Sequence, residues 1–136
     1  MAATLKLEIV TPEAKAYSDD VEMVSLTGID GEMGIYPQHM PLMTQLVAGE
    51  VLARKDGQNI PLAVGDGFVQ ITGDRVAILT DMAIKADDID EAKAEEAMKK
   101  AEGRLAQKLS DEEAATVHAS LAHATAQLKV KRLYKK

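Results

Sequence analysis

The residue types that most often perform catalysis or bind metals are few in this chain and poorly spaced for either task. The 136-residue sequence has three histidines, His39, His118 and His123, and no cysteine. No two histidines have the HExxH spacing of a zinc hydrolase, and a thiolate zinc site is impossible without cysteine. The neighbouring acids Glu95 and Glu96 are predicted on an exposed helix face, and no serine–histidine arrangement indicates a triad. We therefore predict no metal site, no required cofactor and no independent catalysis.

Composition and charge exclude further classes of protein. The chain is 46% hydrophobic and 28% charged, as expected for one globular domain or a small domain with an appendage. Its net charge of −6 and its four aromatic residues argue against a base-stacking surface for nucleic acid. It has no run of eighteen apolar residues, and its first twenty residues carry six charged residues where a signal peptide has an apolar core. We expect a soluble, non-exported protein in a reducing compartment.

Two segments of different composition meet near residue 87. Eight of the nine glycines and all four prolines precede residue 74, and Val, Ile and Thr number 21 in residues 1–87 against 5 in residues 88–136. Alanine supplies 11 of the last 49 residues. Beta-branched residues with frequent turn formers favour strands, whereas alanine without proline favours helix. We predict two domains, residues 1–87 and residues 88–136.

The first segment has the pattern of many short strands. Leu5, Leu7 and Ile9 alternate with charged residues, which is the period of a half-buried strand. Turn formers then recur every eight to ten residues, which is typical of an antiparallel sandwich or barrel. The further strands are predicted near residues 21–27, 43–47, 50–54, 60–64, 68–72 and 76–80.

The second segment predicts two helices that form an antiparallel hairpin. Asp88 with Glu91, and Ser110 with Glu113, have the spacing of capping boxes. A short joint between two helices favours side-by-side packing. Alanines and leucines at helical spacing form the apolar stripes, which are Ala94, Ala97, Met98, Ala101, Leu105 and Leu109, then Ala114, Val117, Leu121, Ala124 and Leu128.

These stripes bury little surface, because an alanine methyl contributes far less than a leucine side chain at about 0.8 kcal/mol per CH₂. One interpretation is a bistable element, in which the folded hairpin and an opened pair of helices have similar free energies. The other is a stable helical appendage. Composition alone leaves both open.

Residues 28–42 (GIDGEMGIYPQHMPL) combine turn-forming and rigid residues. Gly28, Gly31 and Gly34 permit positive φ and close backbone approach, and two prolines stiffen the segment around His39. The pattern predicts a shaped surface loop, either a structural turn or a docking surface. It is not a phosphate-binding loop, because no Gly-Lys-Ser/Thr follows.

This loop resembles the signature segment of the epsilon subunits of bacterial and chloroplast rotary ATP synthases. The resemblance extends over essentially the whole chain. VGDGFV at residues 64–69 is similar to a later strand of that family, VAILTD at residues 76–81 to its last strand, and DIDEAKA at residues 88–94 to its first helix start.

The resemblance implies an α+β fold, in which an N-terminal antiparallel β-sandwich of about ten short strands precedes a C-terminal α-helical hairpin. It implies a non-catalytic central-stalk subunit of a proton-translocating ATP synthase. The sandwich would bind the gamma subunit and the membrane c-ring, with Glu32 towards the ring and His39 near gamma. A lone histidine in a local hydrogen bond is the other interpretation of His39. The helices would extend to the alpha and beta subunits and inhibit ATP hydrolysis.

A basic tract ends the chain. Residues 1–87 carry six basic and thirteen acidic residues, whereas residues 88–136 carry ten and nine. Such a tract is either a solvated end or a contact surface, and the resemblance implies contact with an acidic segment of the catalytic beta subunit. The cations of this tract are Lys129, Lys131, Arg132, Lys135 and Lys136.

The resemblance also implies a possible nucleotide site at the first helix start. Some family members bind ATP through an Ile/Leu-Asp-x-x-Arg-Ala motif. The matching residues are Ile89, Asp90, Lys93 and Ala94, with lysine in place of arginine, and later arginine positions are occupied by His123 and Gln127. Because lysine lacks the planar fork of arginine, we predict weak or absent ATP binding. Asp90 could instead be a first-turn acid stabilised by the helix dipole.

Two hypotheses about function remain at this point. The favoured one places the chain on the cytoplasmic face of a bacterial inner membrane, held there peripherally by its complex, or on the thylakoid stromal face if it is plastid-encoded. The alternative is a stand-alone regulatory or nucleic-acid-binding module that uses the basic tail. Strong, salt-sensitive binding to DNA or RNA would indicate the alternative.

Overall fold

The computed structural model describes residues 3–134, which form ten strands and two long helices. The strands are β1 Leu5–Val10, β2 Lys15–Val21, β3 Met23–Gly28, β4 Gly31–Ile35, β5 His39–Leu46, β6 Gly49–Lys55, β7 Gln58–Val64, β8 Gly67–Gly73, β9 Arg75–Thr80 and β10 Ala83–Lys85. A 3₁₀ turn at Ala86–Asp88 leads to helices α1 Glu91–Leu105 and α2 Asp111–Leu133. The predicted α+β fold is confirmed.

The strands form one continuous sheet that folds over a single apolar interior. Their order is β10-β7-β6-β3-β5-β8-β9-β1-β2, with β4 paired to β3. All pairings are antiparallel except that of β1 with β9, which is parallel and aligns Leu7 with Val76 and Ile9 with Ile78. These four side chains are fully buried. The beta-branched and leucine positions of the predicted strands therefore do form the core.

Most of the predicted strands exist, with three additions. The interval predicted at residues 21–27 divides at Glu22, because β2 ends at Val21 and β3 begins at Met23. Strands β2, β4 and β10 were not among the intervals that the sequence pattern located, although the resemblance implied about ten strands. β2 and β4 alternate weakly in polarity and β10 has three residues, so none of them gives a clear period-two pattern.

The prediction of a surface loop at residues 28–42 is wrong, because most of this segment lies in strands β4 and β5. β3 and β4 make a hairpin that turns at residues 29–30, and residue 39 already begins β5. Of the three glycines, only Gly31 adopts a positive φ, at 125°. The other left-handed residue of the segment is Gln38, with φ of 68° between Pro37 and His39.

The two helix starts differ in how well the sequence predicted them. The capping box at Ser110 is confirmed, since Ser110 Oγ accepts from Glu113 N at 3.1 Å and Ser110 N donates to Glu113 Oε1 at 3.4 Å. The cap predicted at Asp88 is wrong. Asp88 ends the 3₁₀ turn, and Asp90 caps α1 by accepting from Lys93 N at 3.1 Å.

Helix α2 lies between the sandwich and α1. One side of α2 packs along α1, and the other contacts β6 and β7. Within the described residues, α1 has no comparably extensive contact with any strand. The predicted boundary at residue 87 falls in the 3₁₀ turn, and the division into two domains stays a prediction.

Candidate docking surfaces

The two sandwich residues expected at partner interfaces lie at different ends of the sheet. Glu32 is exposed on β4 opposite Thr27, beside the end of β5 at Leu46. His39 lies at the start of β5, opposite Gly73. Seven residues of extended strand separate these ends by about 20 Å. Glu32 and His39 therefore belong to two surfaces and not to one site.

The imidazole of His39 makes a local hydrogen bond. Its Nδ1 lies 2.7 Å from the carbonyl oxygen of Met40, and because a carbonyl oxygen can only accept, Nδ1–H is the donor. The side chain is half-buried, and its neighbours Tyr36 and Met40 are 60% and 80% exposed. His39 therefore does make the local hydrogen bond that was one of its two interpretations. The exposed side chains of Tyr36 and Met40 leave this end of β5 accessible to a partner.

An apolar patch on the outer face of the sheet was not expected from the sequence. Phe68 on β8 pairs directly with Leu79 on β9, and these side chains are 57% and 54% exposed. Met43, two residues before the Gln45 partner of Phe68, is 67% exposed on the same face. A shallow cleft of about 430 Å³ adjoins Leu79 and is lined almost entirely by apolar surface, including Pro12. Large exposed apolar side chains in one place are typical of a protein-binding surface.

Helix α2 docks on the sandwich through a small apolar cluster. Its buried members are Ala63 of β7, Ala86, Ile89 and, from α2, Ala126 and Val130. Three of the five are alanines, and the larger side chains of Met82, Ile84 and Tyr134 pack against them partly buried. Ile89, expected at a nucleotide site, is 4% exposed in this cluster and packs against the sandwich.

The other residues expected at a nucleotide site are divided between two roles. Asp90 is the N-cap of α1, which is the structural alternative that the sequence left open. Lys93 and Ala94 line a cleft of about 320 Å³ between the helices, together with His123 and Gln127. The four residues predicted for the nucleotide site therefore do not line one cleft. Only Lys93 and Ala94 border the cleft between the helices.

A contact between His123 of α2 and Asp81 joins the helices to the sandwich. His123 Nε2 lies 3.0 Å from Asp81 Oδ1 in the connection between β9 and β10. Nε2 is buried and lacks a well-aligned hydrogen bond among the described residues, so the contact is a close approach of the two groups. Both side chains lie directly over Gly65, where a Cβ would overlap Asp81 Oδ1.

The basic tract is only partly free. Lys131 Nζ donates to the carbonyl oxygen of Ala86 at 3.1 Å. Arg132 Nε lies 3.2 Å from Glu91 Oε1, and another of its nitrogens lies 3.7 Å from Glu95 Oε2. The predicted cation Lys129 is exposed, and Lys135 and Lys136 lie outside the described residues.

Tyr134 fixes the end of α2 to the sandwich. Its ring packs against the apolar cluster, and its phenol faces Glu50 of β6. Burial, followed by the hydrogen bond and negative charge of Glu50, raises the pKa of Tyr134 to about 12. No sequence pattern indicated this pair, whose two members are 84 residues apart along the chain.

Residues 3–134 contain neither a helix that could span a membrane nor a cluster of metal-binding side chains. No helix of this part of the chain is both long and apolar enough to span a membrane. No three of its histidine, aspartate and glutamate side chains lie close enough together to hold a metal ion.

Known proteins share this architecture along almost the whole chain. The family model described as ATP synthase, Delta/Epsilon chain, beta-sandwich domain, matches residues 4–86, and the corresponding long alpha-helix domain matches residues 87–132. The ATP synthase epsilon chain of Dehalococcoides mccartyi strain CBDB1 is 46% identical over 94% of this chain and 92% of its own. That of Herpetosiphon aurantiacus is 41% identical over 95% of each chain.

A solved structure agrees in fold. A chain in the Euglena gracilis mitochondrial ATP synthase, in an assembly described as OSCP/F1/c-ring, superposes with a TM-score of 0.74. It is 20% identical, and the match covers 93% of this chain and 80% of that one.

The β-sandwich followed by two docked helices defines an accessory subunit of a rotary ATP synthase, not a catalytic one. The chain belongs to the ATP synthase delta/epsilon family, and its curated relatives place it among the epsilon chains.

Proposed function

We propose that this chain is a central-stalk subunit that links the rotor to the catalytic head and inhibits ATP hydrolysis through its C-terminal helices. The observation that carries the proposal is the way in which α2 docks on the sandwich. The docking cluster is rich in alanine, and the polar contacts around it are partly exposed. Exposed ion pairs contribute about 0–1 kcal/mol each, so these pairs add little to the free energy that holds the helices in place.

Released helices would reach the head. Residues 88–136, as one continuous helix, would extend about 70 Å at 1.5 Å per residue. In this state the basic tract would contact the acidic surface of the catalytic beta subunit, and the helices would lie against alpha and beta. Because the chain belongs with the epsilon chains, we set aside the alternative of a stand-alone nucleic-acid-binding module.

Reconstitution of the catalytic head tests the inhibitory role. We expect the full chain and a chain ending at Asp87 both to bind gamma, and only the full chain to slow ATP hydrolysis. Circular dichroism and gamma binding check that the shortened chain folds. Equal inhibition by the two chains would remove the regulatory role from the helices.

The sandwich would bind gamma and the c-ring and so hold the subunit peripherally at the cytoplasmic face of the membrane. The apolar patch of Met43, Phe68 and Leu79 supports gamma contact because it is large, exposed and on a rigid sheet. We expect Phe68→Asp to weaken gamma binding at least tenfold. Leu133→Asp is the matched control, since Leu133 is similarly exposed at 64% but lies on α2. If both variants bind gamma equally well, the apolar patch is not the surface that contacts gamma.

ATP binding is expected to be weak or absent. Ile89 and Asp90 are engaged in packing and capping, so a ligand would have only Lys93, His123 and nearby polar groups in the cleft. Isothermal titration calorimetry of the isolated subunit with ATP should give no micromolar dissociation constant. A micromolar value would contradict this expectation.

A further inference from the structure

Arg132, near the end of α2, is held by two carboxylates of α1. Its Nε contacts Glu91 at 3.2 Å, and its terminal nitrogen is 3.7 Å from Glu95. Glu91 and Glu95 are one helical turn apart, so both face the same guanidinium. The planar guanidinium can donate to both at once, because its nitrogens are fixed in a fork.

These contacts are accessible and therefore exchangeable. The exposed fractions of the side chains are 52% for Arg132, 42% for Glu95 and 27% for Glu91. Pairs of this exposure are worth a fraction of a kcal/mol to about 1 kcal/mol, and solvent or another carboxylate can replace them. Arg132 thus has partners in the docked state that another acidic surface could substitute at little net cost.

We propose that Glu91 and Glu95 are an internal competitor for Arg132, occupying in the docked state the guanidinium that the released helix presents to carboxylates of the catalytic head. This inference rests on the proposed inhibitory function. It identifies the residues that would regulate the inhibition. Docking and inhibition compete for the same cation, and α1 acids set the balance between them. The similarity is chemical, because the proposed partners on the catalytic head would be clustered carboxylates, as Glu91 and Glu95 are.

The other cations of the tract differ from Arg132 in this respect. Lys131 donates to a backbone carbonyl, which is a neutral partner. Lys129 is exposed and has no ion pair with any residue in the described part of the chain. Arg132 is therefore the cation whose docked contacts most closely reproduce those expected on an acidic partner.

Two variants of the full chain separate competition from simple loosening. The double variant Glu91→Gln with Glu95→Gln frees Arg132 but leaves it charged, so docking should loosen and inhibition of ATP hydrolysis should strengthen about two- to fivefold. Arg132→Gln removes the shared cation, so docking should loosen while inhibition weakens. The two effects on inhibition therefore have opposite signs. Docking is measured by amide hydrogen exchange of α2, and inhibition by titrating each variant into the reconstituted head.

Two further variants serve as controls. Glu96→Gln removes one α1 charge from a residue that has no ion pair within residues 3–134. Lys99→Gln removes the other partner of Glu95, which lies 3.4 Å from it, without touching Arg132. Both should inhibit as the unchanged chain does, and a stronger inhibition by either would mean that general charge, and not release of Arg132, controls the head.

The possible failures are distinguishable. If the double variant loosens α2 and inhibits no better than the unchanged chain, the competitor is disproved while the inhibitory function stands. If the two variants change inhibition in the same direction, loss of docking alone explains both, and the competition is again overturned. If the full chain itself does not inhibit more than the chain ending at Asp87, the proposed function fails first.

Discussion

His123 Nε2 approaches Asp81 Oδ1 to 3.0 Å, and the two side chains meet above the backbone of Gly65. This contact joins the middle of α2 to the connection between β9 and β10, whereas Tyr134 joins the C-terminal end of α2 to the sandwich. Gly65 has an ordinary backbone conformation, so the space above it, and not its φ, requires glycine.

We expect Gly65→Ala to loosen α2 without unfolding the sandwich. The added Cβ would overlap Asp81 Oδ1 and lie 2.9 Å from His123 Nε2. Both atoms are at the ends of side chains, so Asp81 can rotate away, and the cost should be about 0.5–1 kcal/mol of docking. Hydrogen exchange should become faster in α2 and stay unchanged in β9.

A double-mutant cycle with Asp81→Asn provides the control for Gly65→Ala. If displacement of the carboxylate is the cause, the two changes together should cost less than their sum. Additive effects would show that the methyl acts on something other than the Asp81–His123 contact.

Gly67→Ala should damage the sandwich itself. A Cβ at Gly67 would overlap the backbone carbonyl of Leu79 on the paired strand, and backbone cannot move aside as a side chain can. Overpacking of this kind costs about 1–3 kcal/mol. Urea denaturation followed by circular dichroism should show a lower midpoint than for Gly65→Ala, and an unchanged midpoint would contradict the close approach of β8 and β9.

Gly103→Ala should stabilise the protein. Gly103 is exposed in the last part of α1, and a Cβ there would meet no atom within 4 Å among the described residues. Alanine in a helix interior is favoured over glycine by about 0.5–1 kcal/mol. The midpoint temperature of thermal unfolding should rise, and a lower midpoint than that of the unchanged chain would contradict this prediction.

Alkaline pH should release the end of α2. Because the pKa of Tyr134 is raised to about 12, docking favours the neutral phenol. The stabilisation is complete below the ordinary tyrosine pKa of about 10 and is lost as pH rises towards 12. The chain has no cysteine, so one introduced pair can carry fluorescent labels on α2 and the sandwich, and their separation should increase over this range.

Tyr134→Phe tests the origin of that transition. Phenylalanine keeps the ring in the apolar cluster but removes the ionisable group, so the separation of the labels should no longer change between pH 10 and about 12. An unchanged transition in this variant would assign it to another group, such as Tyr17, whose pKa burial and Asp19 also raise.

The architecture was largely predictable because its two halves differ in composition and periodicity. The Ser110 cap was predictable from spacing alone, since both of its hydrogen bonds are local. The Asp88 cap failed because two acids two residues apart, Asp88 and Asp90, compete for the same role, and the 3₁₀ turn decides between them. The parallel pairing of β1 with β9 was not predictable, because neither strand carries a signal of its partner's direction.

The docking surfaces were less predictable, because they depend on tertiary contacts. The sequence indicated one apolar stripe on α2, and Val117 and Ala124 of that stripe are buried. It did not indicate the second face with Ala126 and Val130, because alanine and valine between polar residues give no separate period. The carboxylate partners of Arg132 lie about 40 residues earlier, so spacing could not identify them.

The parallel pair of β1 and β9 has a consequence for biogenesis. Residues 6–10 pair with residues 75–79. The edge of β1 that pairs with β9 therefore stays uncovered until β9 has been synthesised. Once residue 85 has left the ribosome, every strand of the sandwich is available, whereas both helices have still to emerge. The helices therefore emerge beside a finished β-sheet surface, and translation order itself favours the docked conformation as the first one that each new molecule adopts.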